Sequence, residues 1–126
     1  MLTFLENHDE QRIASDFFAA KAERALAALI VSATIDTQPF MLYAGQELGE
    51  RGMDKEGYSG VDGRTTIFDY WSVDTLRRWK GNGNYDGEEL TGEEKELQSF
   101  YARLLNLCNS EETLCNGQFY GLQYAN

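Results

Sequence analysis

The 126-residue chain is poor in the residues that build stapled or metal-bound scaffolds. It has two cysteines, one histidine and one proline. Two cysteines do not make a disulfide framework. Cys108 and Cys115, with a single distant histidine, make no zinc site and read as buried or free thiols. Positive charge is also scarce: 11 Lys and Arg stand against 21 Asp and Glu, for a net charge of −10. The excess is spread over both halves of the chain. No basic patch exists to neutralise phosphates, which argues against nucleic acid as a partner. Long apolar runs are missing too. The longest, Ala25–Ile35, contains Ser32 and Thr34 and falls short of the ~20 residues of a membrane helix. The start of the chain lacks the basic and apolar stretches of a signal peptide. No Asn-x-Ser/Thr acceptor occurs. The compartment stays open.

What is present is globular. A hydrophobic share of 42% with 25% charged residues excludes disordered and fibrous classes. The length suits one small domain or a piece of a larger one. Met1–Leu5 reads as a short apolar strand, followed abruptly by the polar run Glu6–Arg12. An amphipathic helix is expected from about Ser15 to Thr34, with Phe18, Ala22, Ala25, Leu26, Leu29, Ile30 and Ala33 on one face. Pro39–Tyr43 reads as a buried strand with proline at its first residue, where no ladder donor is lost. A glycine-rich segment over 44–70 follows, and Ser72 is expected to cap a short helix over Val73–Trp79. Gly81–Gly87 is a loop by composition. Thr91 and Glu94 form a capping box. It opens a helix whose face carries Leu97, Phe100, Tyr101, Leu104, Leu105 and Cys108. Thr113–Tyr124 reads as the start of a hairpin.

Strand, helix, strand, helix with apolar strands points to a parallel sheet covered by helices. Two parallel strands do not make a free-standing sheet, so the chain is expected to be the C-terminal part of a larger α/β domain. In such architectures function gathers at the carboxyl ends of strands. Glu6, Asn7, His8 and Asp9 follow the first strand; Tyr43, Gln46 and Glu47 follow the second. A lone His beside an Asp is more often a structural pair, but its place at a strand end favours function.

These residues carry a resemblance. Phe4-Leu5-Glu6-Asn7-His8-Asp9 resembles the F-x-x-N-H-D segment that ends the seventh strand in the α-amylase family, glycoside hydrolase family 13. Pro39-Phe40-Met41-Leu42-Tyr43-Ala44-Gly45-Gln46-Glu47 is similar to that family's eighth strand, P-x-x-x-Y-x-G-x-E. The resemblance implies an α/β fold: a partial (β/α)8 TIM barrel, its last two β/α units. Residues 1–108 would be this C-terminal portion of the barrel. Residues 109–126 would be a linker and the first strands of an all-β C-terminal domain. It further implies a retaining glycoside hydrolase acting on α-glucosidic bonds of starch-like or malto-oligosaccharide substrates. Asp9 would be the catalytic carboxylate that stabilises the transition state. His8 would bind hydroxyls of the same sugar, and Asn7 would orient the pair or touch substrate. Such a reaction passes through an oxocarbenium-like state, which nearby fixed carboxylates stabilise.

The family's nucleophilic Asp and acid/base Glu lie on earlier strands that this chain does not contain. The isolated chain is therefore expected to be inactive. Two alternatives stay open: a catalytically dead carbohydrate-binding or scaffold homologue, and a transglycosylase of the same family. No cofactor is expected in this segment; calcium belongs to the upstream part of such enzymes. Asp54, Glu56 and Asp62 read as a solvated acidic loop. Trp71, Trp79, Tyr70 and Tyr85 are either packing aromatics or sugar-stacking ones. Glu47 reads as a structural carboxylate. Arg12 is left to pair with Glu10 or Asp16, or to reach the pocket rim. Strands and helices stripped of neighbours imply a homo-oligomer of the fragment.

Overall fold

Two short strands, β1 (Thr3–Phe4) and β2 (Phe40–Met41), lie side by side and parallel, Thr3 opposite Phe40 and Phe4 opposite Met41. The computed structural model describes residues 2–55, 61–68 and 72–121. Pro39 lacks an amide donor, but its carbonyl accepts from the Thr3 amide at 3.1 Å and so extends the pairing by one residue. Parallel neighbours need a long crossover. Here it is helix α1 (Leu26–Thr34), entered through a 3-10 turn at Ala22–Ala25.

The helical stretch expected from Ser15 opens only at Ala22, as the 3-10 turn, and becomes α-helical at Leu26. Ala20 takes the left-handed conformation, with φ 61°, and an alanine there ends any helix that reaches it. The amides of Ala19 and Ala20 donate back to the carbonyls of Ile13 and Ser15, wrapping this stretch into turns. Phe18 and Ile30, expected on the buried face, are exposed. Leu26, Leu29 and Ala33 do face inward.

Helix α2 (Asp74–Lys80) matches the short helix expected there, but its cap does not. The cap position is Val73, which offers no side-chain acceptor. Helix α3 (Gly92–Ser110) opens with the expected capping box. The Thr91 hydroxyl accepts from the Glu94 amide at 3.2 Å, and the Glu94 carboxylate accepts from the Thr91 amide at 2.8 Å. Leu97, Tyr101 and Leu104 of α3 pack on Leu29 of α1 to form the apolar core, flanked by Leu5, Phe40 and Leu42 from the strand segments. Arg78 joins α2 to α3 by pairing with both Asp74 and Glu94.

Where a hairpin was expected from Thr113, the chain forms a short helix, α4 (Glu112–Asn116). Residues 122–124 of that expectation lie outside the described residues, as do Glu56, Tyr70 and Trp71. No described helix is long and apolar enough to cross a membrane.

Candidate functional site

The carboxyl ends of β1 and β2 point the same way, because the strands are parallel. The polar residues after each strand are thereby brought together. Glu6 is the first polar residue past β1, and its side chain turns inward rather than to water. One carboxylate oxygen accepts from the Ile13 amide at 2.7 Å. The other lies 3.1 Å from Nε of Arg12. Both residues are buried, with 3% and 0% of their side chains exposed. The Nε contact is ionic and not aligned as a hydrogen bond.

Arg12 then reaches across the molecule. Its guanidinium donates to the Ala44 carbonyl at 2.9 Å and to the Thr65 hydroxyl at 3.1 Å. It also sits 4.6 Å from the centre of the Tyr43 ring, a cation–π distance. The Tyr43 hydroxyl donates to the Thr65 carbonyl at 3.0 Å. One arginine thus ties the turn after β1, the end of β2 and the segment around Thr65. The sequence offered Glu10 or Asp16 as its partner. The structure gives Glu6 instead, while Asp16 pairs with Arg51.

A second buried carboxylate, Glu50, accepts from the Gly52 amide at 2.8 Å and the Thr75 hydroxyl at 2.5 Å. The Thr75 amide, in the first turn of α2, lies 3.4 Å from the same oxygen. Glu50 therefore caps α2 from a remote loop, in the role expected of Ser72. Gln46 donates to the Tyr101 hydroxyl at 3.1 Å and links the cluster to α3. Two glycines close the loop over it. A side chain at Gly52 would come within 2.6 Å of the Gly63 backbone, and one at Gly63 within 2.8 Å of Ser15 Cβ. Both have positive φ. The Gly63 carbonyl accepts from the Arg12 amide at 2.5 Å.

The electrostatics follow from burial. Desolvation pushes Glu6 above the usual carboxylate range, against the pull of Arg12 and the Ile13 amide. Desolvation raises Glu47 as well, and one of its oxygens is buried without a hydrogen bond. Burial pushes Tyr101 up to about 12, opposed by its bond from Gln46.

On this buried base stands the turn that carries the three predicted site residues. The Asn7 side-chain oxygen accepts from the amides of Asp9 at 2.8 Å and Glu10 at 3.1 Å. This is an Asx turn, in which the Asn7 side chain holds the backbone of the residues that follow it. His8 Nε2 lies 3.5 Å from an Asp9 carboxylate oxygen, and their side chains are 51% and 77% exposed. The arrangement presents an imidazole and a carboxylate outward from a rigid footing. Such a carboxylate opposes a developing positive charge, and an imidazole hydrogen-bonds hydroxyls.

Asp62 is held by Arg64 at 2.7 Å, and that pairing lowers its carboxyl below the usual range. Among the described residues no His, Cys, Asp and Glu side chains cluster as a metal site. Sequence reasoning missed the Glu6–Arg12 and Glu50–Thr75 pairs. The available signal was a glutamate directly after an apolar strand, where a charge is forced inward and needs a partner. In comparison with known proteins, no family model, curated protein or solved structure matches this chain.

Proposed function

We propose that the chain is the last quarter of the catalytic barrel of a retaining α-glucan-acting glycoside hydrolase, resembling the α-amylase family. Asp9 stabilises the charged transition state, and His8 binds hydroxyls of the same sugar. One observation carries the reading. The two strand-end motifs, more than thirty residues apart in sequence, come together on parallel neighbouring strands and are bridged by Arg12. That juxtaposition is what a β/α barrel needs at its catalytic end. His8 and Asp9 are exposed, and so open to a sugar held in part by other strands.

In this reading the chain alone lacks a nucleophile and an acid/base, and hydrolyses nothing. The test is complementation with the upstream part of the barrel. A chromogenic α-malto-oligoside is turned over by the joined polypeptide and not by this chain. Turnover by the chain alone that survives Asp9→Asn contradicts the reading, as does an extended polypeptide inert on every α-glucan. The same reading has the chain associate with itself when isolated, through exposed Leu2, Phe4, Ile30 and Val31. Light scattering at micromolar concentration that returns a 14.3 kDa particle contradicts this association.

A further inference from the structure

Away from the strand ends, the end of α2 and the loop after it enclose a cleft of about 690 Å³. Its wall includes Arg77, Trp79, Asn82, Tyr85 and Glu89. The rings of Trp79 and Tyr85 meet edge to face, with centres 5.4 Å apart and planes at 63°. They form an aromatic corner. Trp79 is the anchored member: it is half-buried, and its ring lies close beneath Gly87. Tyr85 is the open member, 55% exposed. Its backbone is in the left-handed region, with φ 56°, which a bulky side chain seldom adopts. The loop keeps it there: the amides of Gly83 and Tyr85 both donate to the Lys80 carbonyl. An aromatic ring is thus presented to solvent from a backbone conformation that carries a conformational cost for a bulky residue. No hydrogen bond within the described residues engages the side chains of Asn82 or Glu89.

From this corner we infer a second ligand site, separate from Asp9, that takes a neutral oligosaccharide. The flat C–H face of a pyranose matches the open Tyr85 ring. Its equatorial hydroxyls need paired donors and acceptors, which the Asn82 amide, the Glu89 carboxylate and the Arg77 guanidinium supply at the rim. The charged lining carries both signs, Arg77, Arg78 and Lys80 with Asp74 and Glu89, and Arg78 is taken up by Asp74 and Glu94, so a neutral ligand finds both donors and acceptors there. The choice of an α-glucan among neutral saccharides rests on the function proposed above; the aromatic corner does not.

The experiment is an NMR titration of the chain with maltoheptaose, reading the Trp79 indole and the Tyr85 ring. Both signals shift with millimolar affinity. Tyr85→Gly accepts the left-handed backbone without strain, keeps the fold, and weakens binding about tenfold by removing the stacking face. The readout is local to the Trp79 and Tyr85 rings, which line the cleft and not the strand ends, so the outcome is independent of the strand-end reading. If cellohexaose shifts the two signals and maltoheptaose does not, the site stands and the α-glucan assignment falls. If neither saccharide moves them, or if Tyr85→Gly binds unchanged, the site is overturned.

Discussion

The α1–α3 side and the strand-end side of the molecule are held together by opposite means. On the first, Leu29, Leu97, Tyr101 and Leu104 exclude water from an apolar core. Each contact there is non-directional and roughly proportional to the area it covers. On the second, Glu6, Arg12, Gln46, Glu50 and Thr75 are buried polar groups, held by the Glu6–Arg12 ion pair, the Thr75–Glu50 hydrogen bond and bonds to backbone groups, Thr65 and Tyr101. Each is favourable only while its partners are in place. The apolar side loses stability in proportion to what is removed. The polar side fails when any single member goes. That conditionality fixes the position of the turn carrying His8 and Asp9.

Arg12→Ala breaks the comparison most sharply. It leaves Glu6 buried without its cation, and cuts the ties to Ala44 and Thr65. Loss of one partner of a buried pair costs about 3–5 kcal/mol. The double replacement Glu6→Leu, Arg12→Met recovers part of it: no charge is orphaned, but the Ile13 amide and the Ala44 carbonyl lose their partners. Urea unfolding of both variants checks this; a single-variant loss under ~1 kcal/mol would show the cluster to be water-compensated. Leu29→Ala, in the fully buried centre of the other side, costs about 3 kcal/mol, with no pH dependence. A loss that changes with pH would erase the distinction.

Thr91→Ala removes one half of the capping box and costs ~1 kcal/mol, read as a lower thermal midpoint of the helical signal. The smallest effect is expected at Glu47. Its folded-state carboxyl is raised above the ordinary value of 4.5 by burial. The folded chain therefore holds that proton more tightly than the unfolded chain. Its contribution is present below the ordinary value and lost as pH rises through the folded one. Glu47→Gln stabilises the chain at neutral pH, and the gain shrinks on acidification toward 4.5. Glu94 runs the other way. Burial works against its charge, but the Arg78 and Thr91 bonds prevail and lower it. Its contribution is lost as pH falls. A Glu47→Gln chain whose advantage grows on acidification contradicts the assignment.

Local signals were legible in the sequence wherever one helical turn or one strand settled the outcome. The Thr91–Glu94 box and the Leu97, Tyr101, Leu104 stripe occur as read, because both depend on neighbours three or four residues away. The parallel relation of Met1–Leu5 and Pro39–Tyr43 followed from apolar runs joined by a helix. Remote satisfaction was not legible. Ser72 looked like the cap of α2, but Glu50 supplies that charge from a distant loop. Arg12 had two nearer acids, yet desolvated Glu6 needed it more. The helix reading from Ser15 failed because periodicity does not reveal a left-handed alanine at position 20. The aromatics and glycines from Gly117 onward suggested a hairpin from Thr113, where hydrogen bonds back to Glu111 form a short helix over Glu112–Asn116.

The most direct test of the account is Asp9→Asn in a polypeptide extended upstream to include the barrel's nucleophile and acid/base. Asp9 is 77% exposed, so the thermal midpoint stays unchanged. Losing a fixed charge opposite the developing cation lowers kcat by about 10²–10³, by analogy with lost oxyanion-hole donors. An unchanged midpoint with kcat/KM retained within about twofold would remove Asp9 from the reacting sugar and contradict the proposed function.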